Sequence, residues 1–190
     1  MTDAMKTRLG ITVSFMPVVV TIVFALILRN ESTDQNAASW SMWCVLNAII
    51  AGSMFAKGNK DAWLPAGYTV GTLFVSIILI GKGSWHFGFV ETTCAIGAGI
   101  AMILWWFSSA RAATIIGCAA MWISSVPILV DTWRAPDPRF WWLWATGAIA
   151  AITATILAPR WSVEHRLFPI SSGIFNTWMT GLLLYTLFFG

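Results

Sequence analysis

The chain has 190 residues, of which 58% are hydrophobic and only 10% charged, with 11 basic and 8 acidic side chains and a formal net charge of +3. A soluble domain carries roughly a quarter charged residues, so this chain lacks the polar side chains to cover a water-facing surface, and its composition calls for a bilayer as solvent. The basic residues are scattered singly between apolar runs, which argues against a nucleic-acid-binding patch and makes them topology signals instead.

The apolar runs divide into seven predicted spans, each near the roughly 20 residues that a hydrocarbon core requires. The first, Gly10 to Leu28, holds Pro17 in its interior; it lacks a clear small-residue cleavage site, so it reads as a membrane helix and not as a removable signal peptide. The second, Ser39 to Ala56, opens on Trp40 and Trp43 and carries Asn47. The third, Ala62 to Ile80, starts with Leu64-Pro65-Ala66-Gly67 and carries Thr72. The fourth, Phe87 to Phe107, contains Glu91 and a run of small residues from Gly97 to Ala101. The fifth, Ala112 to Thr132, holds Trp122, Pro127 and Asp131. The sixth, Phe140 to Leu157, opens on Trp141 and Trp144, and the seventh, Pro169 to Phe189, carries Asn176 and Trp178. The connections 29–38, 57–61, 81–86, 108–111, 133–139 and 158–168 are too short for a separate domain. The expectation is one all-α integral membrane domain over residues 1–190.

Residues 10–80 and 112–189 share a pattern. Each has a proline in its first span (Pro17, Pro127), a Trp-x-x-Trp pair opening its second (Trp40 and Trp43, Trp141 and Trp144), and a proline opening its third (Pro65, Pro169). The fourth span, 87–107, is left over as a linker. Three spans are an odd number, so one extra span restores the same orientation to both copies. The expected architecture is 3+1+3, two parallel three-helix repeats related by an axis along the membrane normal.

Thirteen tryptophans in 190 residues are a heavy use. Trp40, Trp63, Trp85, Trp105, Trp133, Trp141 and Trp161 fall at predicted span ends, where an indole keeps its ring in the apolar layer and its N–H wet. Trp122 and Trp178 lie deeper and are candidates for a cavity wall. Cys44, Cys94 and Cys118 all fall inside apolar runs without metal-ligand spacing, so they read as small buried thiols, and no metal or cofactor is expected. Lys6, Arg8, Lys57, Lys60, Arg111, Arg160 and Arg166 fall on one side, and Arg29, Lys82, Arg134 and Arg139 on the other. The excess of basic residues on the first side places the N-terminus in the cytoplasm, and the expected location is a bacterial inner membrane.

A 3+1+3 chain of this length, with a proline in the first helix of each repeat, resembles the SWEET, PQ-loop and PnuC group of transporters. The segment Ser124-Ser125-Val126-Pro127-Ile128-Leu129-Val130-Asp131-Thr132-Trp133-Arg134 is similar to the PQ-loop signature region, and Pro136 to Trp144, with its tryptophans opening the next helix, also fits. The glutamine expected after the proline is Ile128 here and Val18 in the first repeat. The resemblance implies movement of a small polar metabolite (a sugar, a nucleoside or vitamin, or an amino acid) by alternating access through a pocket between the repeats. It implies hinges at Pro17 and Pro127, although a tolerated transmembrane proline is the plainer reading of either one alone. It also implies substrate binding by the third and seventh helices. Asn176 and Thr72 each lie seven residues after the matched prolines, so they are expected to face each other.

Asn47, one turn after Trp43, is a further substrate candidate or a helix contact. Asp131 and Glu91 are acids within predicted spans, hence possible proton or cation sites or ion-paired interfacial groups. The partners expected are a small-molecule substrate, membrane lipids and a second copy of the chain, with no nucleic acid. A rhodopsin is excluded because 169–190 contains no lysine for a Schiff base, and the spans hold no His-Glu-x-x-His, paired-aspartate or Ser-His arrangement of an intramembrane enzyme. The alternative class is a receptor, an assembly subunit or a lipid-binding scaffold that transports nothing.

Overall fold

A computed structural model describes residues 3–31, 35–56, 58, 62–108, 110–158 and 160–190. Among these there are seven α-helices and no strand: α1 (Asp3–Asn30), α2 (Ala37–Ala56), α3 (Trp63–Gly81), α4 (Phe89–Trp106), α5 (Ala110–Arg134), α6 (Trp141–Leu157) and α7 (Val163–Phe189). Each of the seven is long and apolar enough to cross a membrane. Lys57 and Lys60, which enter the charge count above, lie outside the described residues, as does the side chain of Lys6.

One helix runs past its expected span, and one expected start is wrong. Helix α1 extends beyond Gly10 to Asp3. Helix α7 starts six residues before Pro169, so this proline sits inside the helix and does not open it. The reason is local: Ser162 has extended backbone angles, and Val163-Glu164-His165-Arg166 is a good helical first turn with an acid at its head. Pro65, by contrast, lies in the first turn of α3, where its missing N–H leaves no bond unmade.

Six helices close a ring in which α1 packs on α3, α3 on α2, α2 on α5, α5 on α7, α7 on α6, and α6 back on α1. Helix α4 lies outside the ring against α5, touching α2 lightly. The outer surface is apolar, with Val19, Val23, Ile77, Ile96, Ile103, Ile149 and Ile174 among many exposed aliphatic side chains.

The α1–α3 contact is built on glycine. Gly67 and Gly71 stand one turn apart on α3. A Cβ at Gly67 would run into the Ser14 carbonyl, and one at Gly71 would overlap the Thr21 hydroxyl. This spacing of small residues lets two backbones approach closely. It does so at the turn where Pro17 interrupts the α1 hydrogen-bond ladder. Thr21 Oγ1 donates to the Pro17 carbonyl at 2.5 Å, keeping the hydroxyl satisfied within its own helix.

The helix ends are tied by charged and amide side chains. Lys82 Nζ donates to the carbonyls of Leu28, at 2.6 Å, and Glu31, closing the C-terminus of α1. Arg166 donates to the Thr155 carbonyl in the last turn of α6 at 2.6 Å and to those of Ala158 and Arg160 just beyond it, each at 3.2 Å, and lies 3.7 Å over the Trp161 ring. Glu91 accepts from the Gly88 N–H at 2.9 Å at the start of α4 and from Asn36 Nδ2 at 3.1 Å. Asn36 in turn binds the His86 carbonyl at 2.8 Å and accepts from the Ala38 N–H at 3.0 Å, which fastens the α3–α4 connection to the start of α2.

Gly71→Ala is expected to lower the thermal unfolding midpoint in detergent. The overpacking penalty of about 1–3 kcal/mol outweighs the roughly 1 kcal/mol that alanine gains over glycine in a helix. Gly99→Ala, where a Cβ meets nothing within 4 Å, is the control and should raise the midpoint.

Candidate functional site

At the centre of the ring lies a cavity of about 10 Å³, room for about one water. It is lined by Pro17 and Thr21 of α1, Trp40 and Trp43 of α2, Tyr68 and Thr72 of α3, Leu143, Trp144 and Gly147 of α6, and Asn176 of α7. Five helices reach one small space, and no carboxylate, ammonium, guanidinium or imidazole is among these residues.

The polar side of the cavity is organised by the Tyr68 hydroxyl. It donates to the Gly147 carbonyl at 3.2 Å and accepts from Ser172 Oγ at 3.2 Å and from Asn176 Nδ2 at 3.5 Å. Asn176 Nδ2 also donates to the Ser172 carbonyl at 2.8 Å, one turn back on α7. A Cβ at Gly147 would overlap the Asn176 side-chain amide and stand 3.3 Å from the Tyr68 hydroxyl, so the absence of a side chain there makes room for both groups. Thr72 Oγ1 turns back to the Tyr68 carbonyl at 2.7 Å.

The other side is aromatic. Trp43 and Trp144, which hold matching positions in the two Trp-x-x-Trp pairs, meet with ring centroids 5.9 Å apart. Trp40 lies 6.1 Å from Trp144, and Phe175 stands edge-on to both Trp43, at 5.3 Å, and Trp144, at 5.7 Å. Trp43 Nε1 donates to Ser125 Oγ at 2.8 Å, pinning α2 to α5 two residues before Pro127. Above this layer Phe24 of α1 meets Phe140 edge-on at 4.8 Å. At the rim Arg139 reaches Glu31 at 3.0 Å and Asp137 at 2.7 Å. The Arg139 hydrogen bonds hold the Asp137 carboxyl below its usual range.

Of the residues singled out in the sequence, Asn176, Thr72 and Pro17 come together at this cavity. Pro127 is buried within α5 but does not line it. Asn47 is buried at the side: its Nδ2 donates to the Trp43 carbonyl at 2.9 Å, and its Oδ1 has no hydrogen-bond partner among the described residues. Trp122 packs edge-on against Phe175 at 5.8 Å, behind the cavity. Trp178 is 53% exposed on the outer face of α7 and forms no part of the wall. Asp131 is half-buried in the last turns of α5 and is not among the lining residues, and Glu91 is engaged in the α4 cap. Trp40, expected at the water interface, is 1% exposed and belongs to the core.

Sequence reasoning missed Tyr68, Ser172, Gly147 and the meeting of Trp43 with Trp144. A signal was present: Tyr68 precedes Thr72, and Ser172 precedes Asn176, by one helical turn, so each shares a face with a residue already chosen.

Comparison of the chain with family models, with curated proteins and with solved structures found no match. Tyr68→Phe removes the donor to Gly147 and the acceptor for Ser172, and should lower unfolding stability by about 1–3 kcal/mol, read by chemical denaturation in micelles. At the rim, the response is to pH. Because the Asp137 carboxyl is depressed, its contribution is fully present above about pH 4 and is lost as the pH falls through its lowered value. Asp137→Asn should remove that part of the acid sensitivity of the melting point.

Proposed function

We propose that the chain is an integral membrane protein that passes a small polar solute through the junction between two parallel three-helix repeats, α1–α3 and α5–α7, joined by α4. The ring supports the repeat reading. Exchanging α1 with α5, α2 with α6 and α3 with α7 maps each neighbour contact onto another. The matched residues Thr72 and Asn176 line one cavity, and Trp43 and Trp144 touch beside it.

The observation that carries the transport reading is the buried cluster of Tyr68, Ser172 and Asn176 at a cavity between the repeats. Polar groups deep in a bilayer protein are costly and mark solute paths. The cavity is water-sized and its polar and aromatic lining is buried; on this reading it is the narrow form of the solute path, and Pro17 and Pro127 are the hinges that widen it. Neither Asp131 nor Glu91 is among the lining residues, which favours passive facilitation over proton coupling. The solute class is that of the SWEET-like group: sugars, nucleosides and vitamins, or amino acids. The N-terminus faces the cytoplasm of a bacterial cell, and the working unit is a homo-oligomer.

One observation favours a second reading. The close aromatic packing of Trp40, Trp43, Trp144 and Phe175 leaves little open space, as in a receptor, assembly subunit or lipid-binding scaffold that transports nothing.

Ligand-dependent thermal stabilisation of the detergent-purified protein, against a panel of sugars, nucleosides, vitamins and amino acids, separates the two. A ligand that binds only the native state raises the midpoint by mass action, by about 2.7 kcal/mol of stability at a hundredfold excess over Kd. A hit that Asn176→Leu abolishes with the fold retained is the expected result. A silent panel, unchanged by that substitution, shifts the assignment to the scaffold.

A further inference from the structure

Between the central cavity and one end of the molecule stand three successive pairs of side chains. Each pair has one member before α4 and one after it. Nearest the cavity, Trp40 of α2 faces Trp144 of α6 at 6.1 Å, with the rings 31° apart. Next, Phe24 of α1 meets Phe140 edge-to-face at 4.8 Å and 80°. Outermost, Glu31 pairs with Arg139 at 3.0 Å. Asp137 holds the same guanidinium through two bonds, at 3.0 Å to Nε and 2.7 Å to Nη2, and aims it across the seam.

The layers differ in kind. The indoles and phenyl rings are buried or half-buried, whereas the Glu31 and Arg139 side chains are 40% and 62% exposed. An exposed ion pair is weak and screened by salt, so the outer layer is the one that can be released without unpacking the core. Phe140 belongs to the single turn Pro138–Phe140 that also carries Arg139. Movement of this turn shifts the ionic and phenyl layers together.

We propose that Glu31, Arg139 and Asp137 form an ionic latch over an aromatic plug, and that this stack is the gate closing the central cavity toward the end of the molecule where α1 finishes and α6 begins. The proposal rests on the solute-path reading above. It adds which end is plugged, by which residues, and that ionic strength biases the opening.

The test places a thiol reporter in the cavity, Thr72→Cys. It follows labelling by a membrane-impermeant, cationic methanethiosulfonate in sealed vesicles of each orientation, with the parent chain as blank. Releasing the latch with Glu31→Gln and Asp137→Asn should speed labelling from the face that bears Arg139 by about fivefold, the scale an exposed pair can contribute. Loss of two negative charges slows the approach of a cationic reagent, so a faster rate reports opening. Raising the salt from about 0.05 to about 1 M should speed the reporter chain and leave the latch-free variant unchanged, because the Debye length shrinks to roughly 3 Å. Phe140→Ala, which removes the phenyl layer, should act in the same direction. The latch variant alters only exposed groups and keeps the test valid if Phe140→Ala fails to fold. Labelling that is indifferent to the latch, or faster only from the opposite face, overturns the gate and leaves the solute path standing. A reporter that labels in no variant and from neither face overturns both.

Discussion

One phenolic oxygen joins α3 to α6 and α7, two helices far from it in the chain. Tyr68 of α3 reaches the Gly147 carbonyl of α6 and the Ser172 and Asn176 side chains of α7. In an apolar interior an unpaired hydroxyl or amide costs more than its bond returns in water. The position of each of these helices is therefore constrained by the others. Gly147 is part of the same arrangement, because a methyl group there would occupy the space of the Asn176 amide. The cavity exists because these groups converge on one point while the aromatic rings opposite are too rigid to fill the remaining gap.

The tryptophans divide by depth into two physical tasks. Trp63, Trp85, Trp133 and Trp161 are 40–85% exposed near helix ends, as the amphipathic indole prefers at a polar boundary. Trp40, Trp43 and Trp144 are 1–6% exposed and pack on one another across the centre. A large flat ring fills volume with few rotatable bonds and favours tilted and edge-on contacts.

The few charges are mostly used locally. Lys82 and Arg166 close helix C-termini, Glu91 closes an N-terminus, and Arg139 bridges Glu31 and Asp137. Backbone groups at helix ends need partners that the helix itself does not supply, and Lys82, Arg166 and Glu91 meet that need. The central cavity is neutral, lined by amide, hydroxyl, aromatic and apolar groups.

Element number and approximate bounds were legible in the sequence because each helix is a long apolar run set off by polar punctuation, and seven such runs became seven helices. Asn176 and Thr72 were singled out because the family resemblance pointed to polar residues of the third and seventh helices and their equal spacing from Pro169 and Pro65 paired them; both line the cavity. Pro169 was misread because a proline near an apolar boundary looks like a start, whereas the amphipathic turn before it, Val163–Phe168, had already begun the helix. Trp40 and Trp178 exchanged places, core for surface, because position along a span fixes depth in the layer but not rotation about the helix axis. That rotation depends on which neighbours a helix meets: α2 meets α3 and α5, and α7 meets α5 and α6. The contacts of Tyr68 with Gly147, Ser172 and Asn176, and the Glu31–Arg139 pair, join residues 79 to 108 positions apart. Local periodicity sets composition and span length; only closure of the ring decides which faces meet.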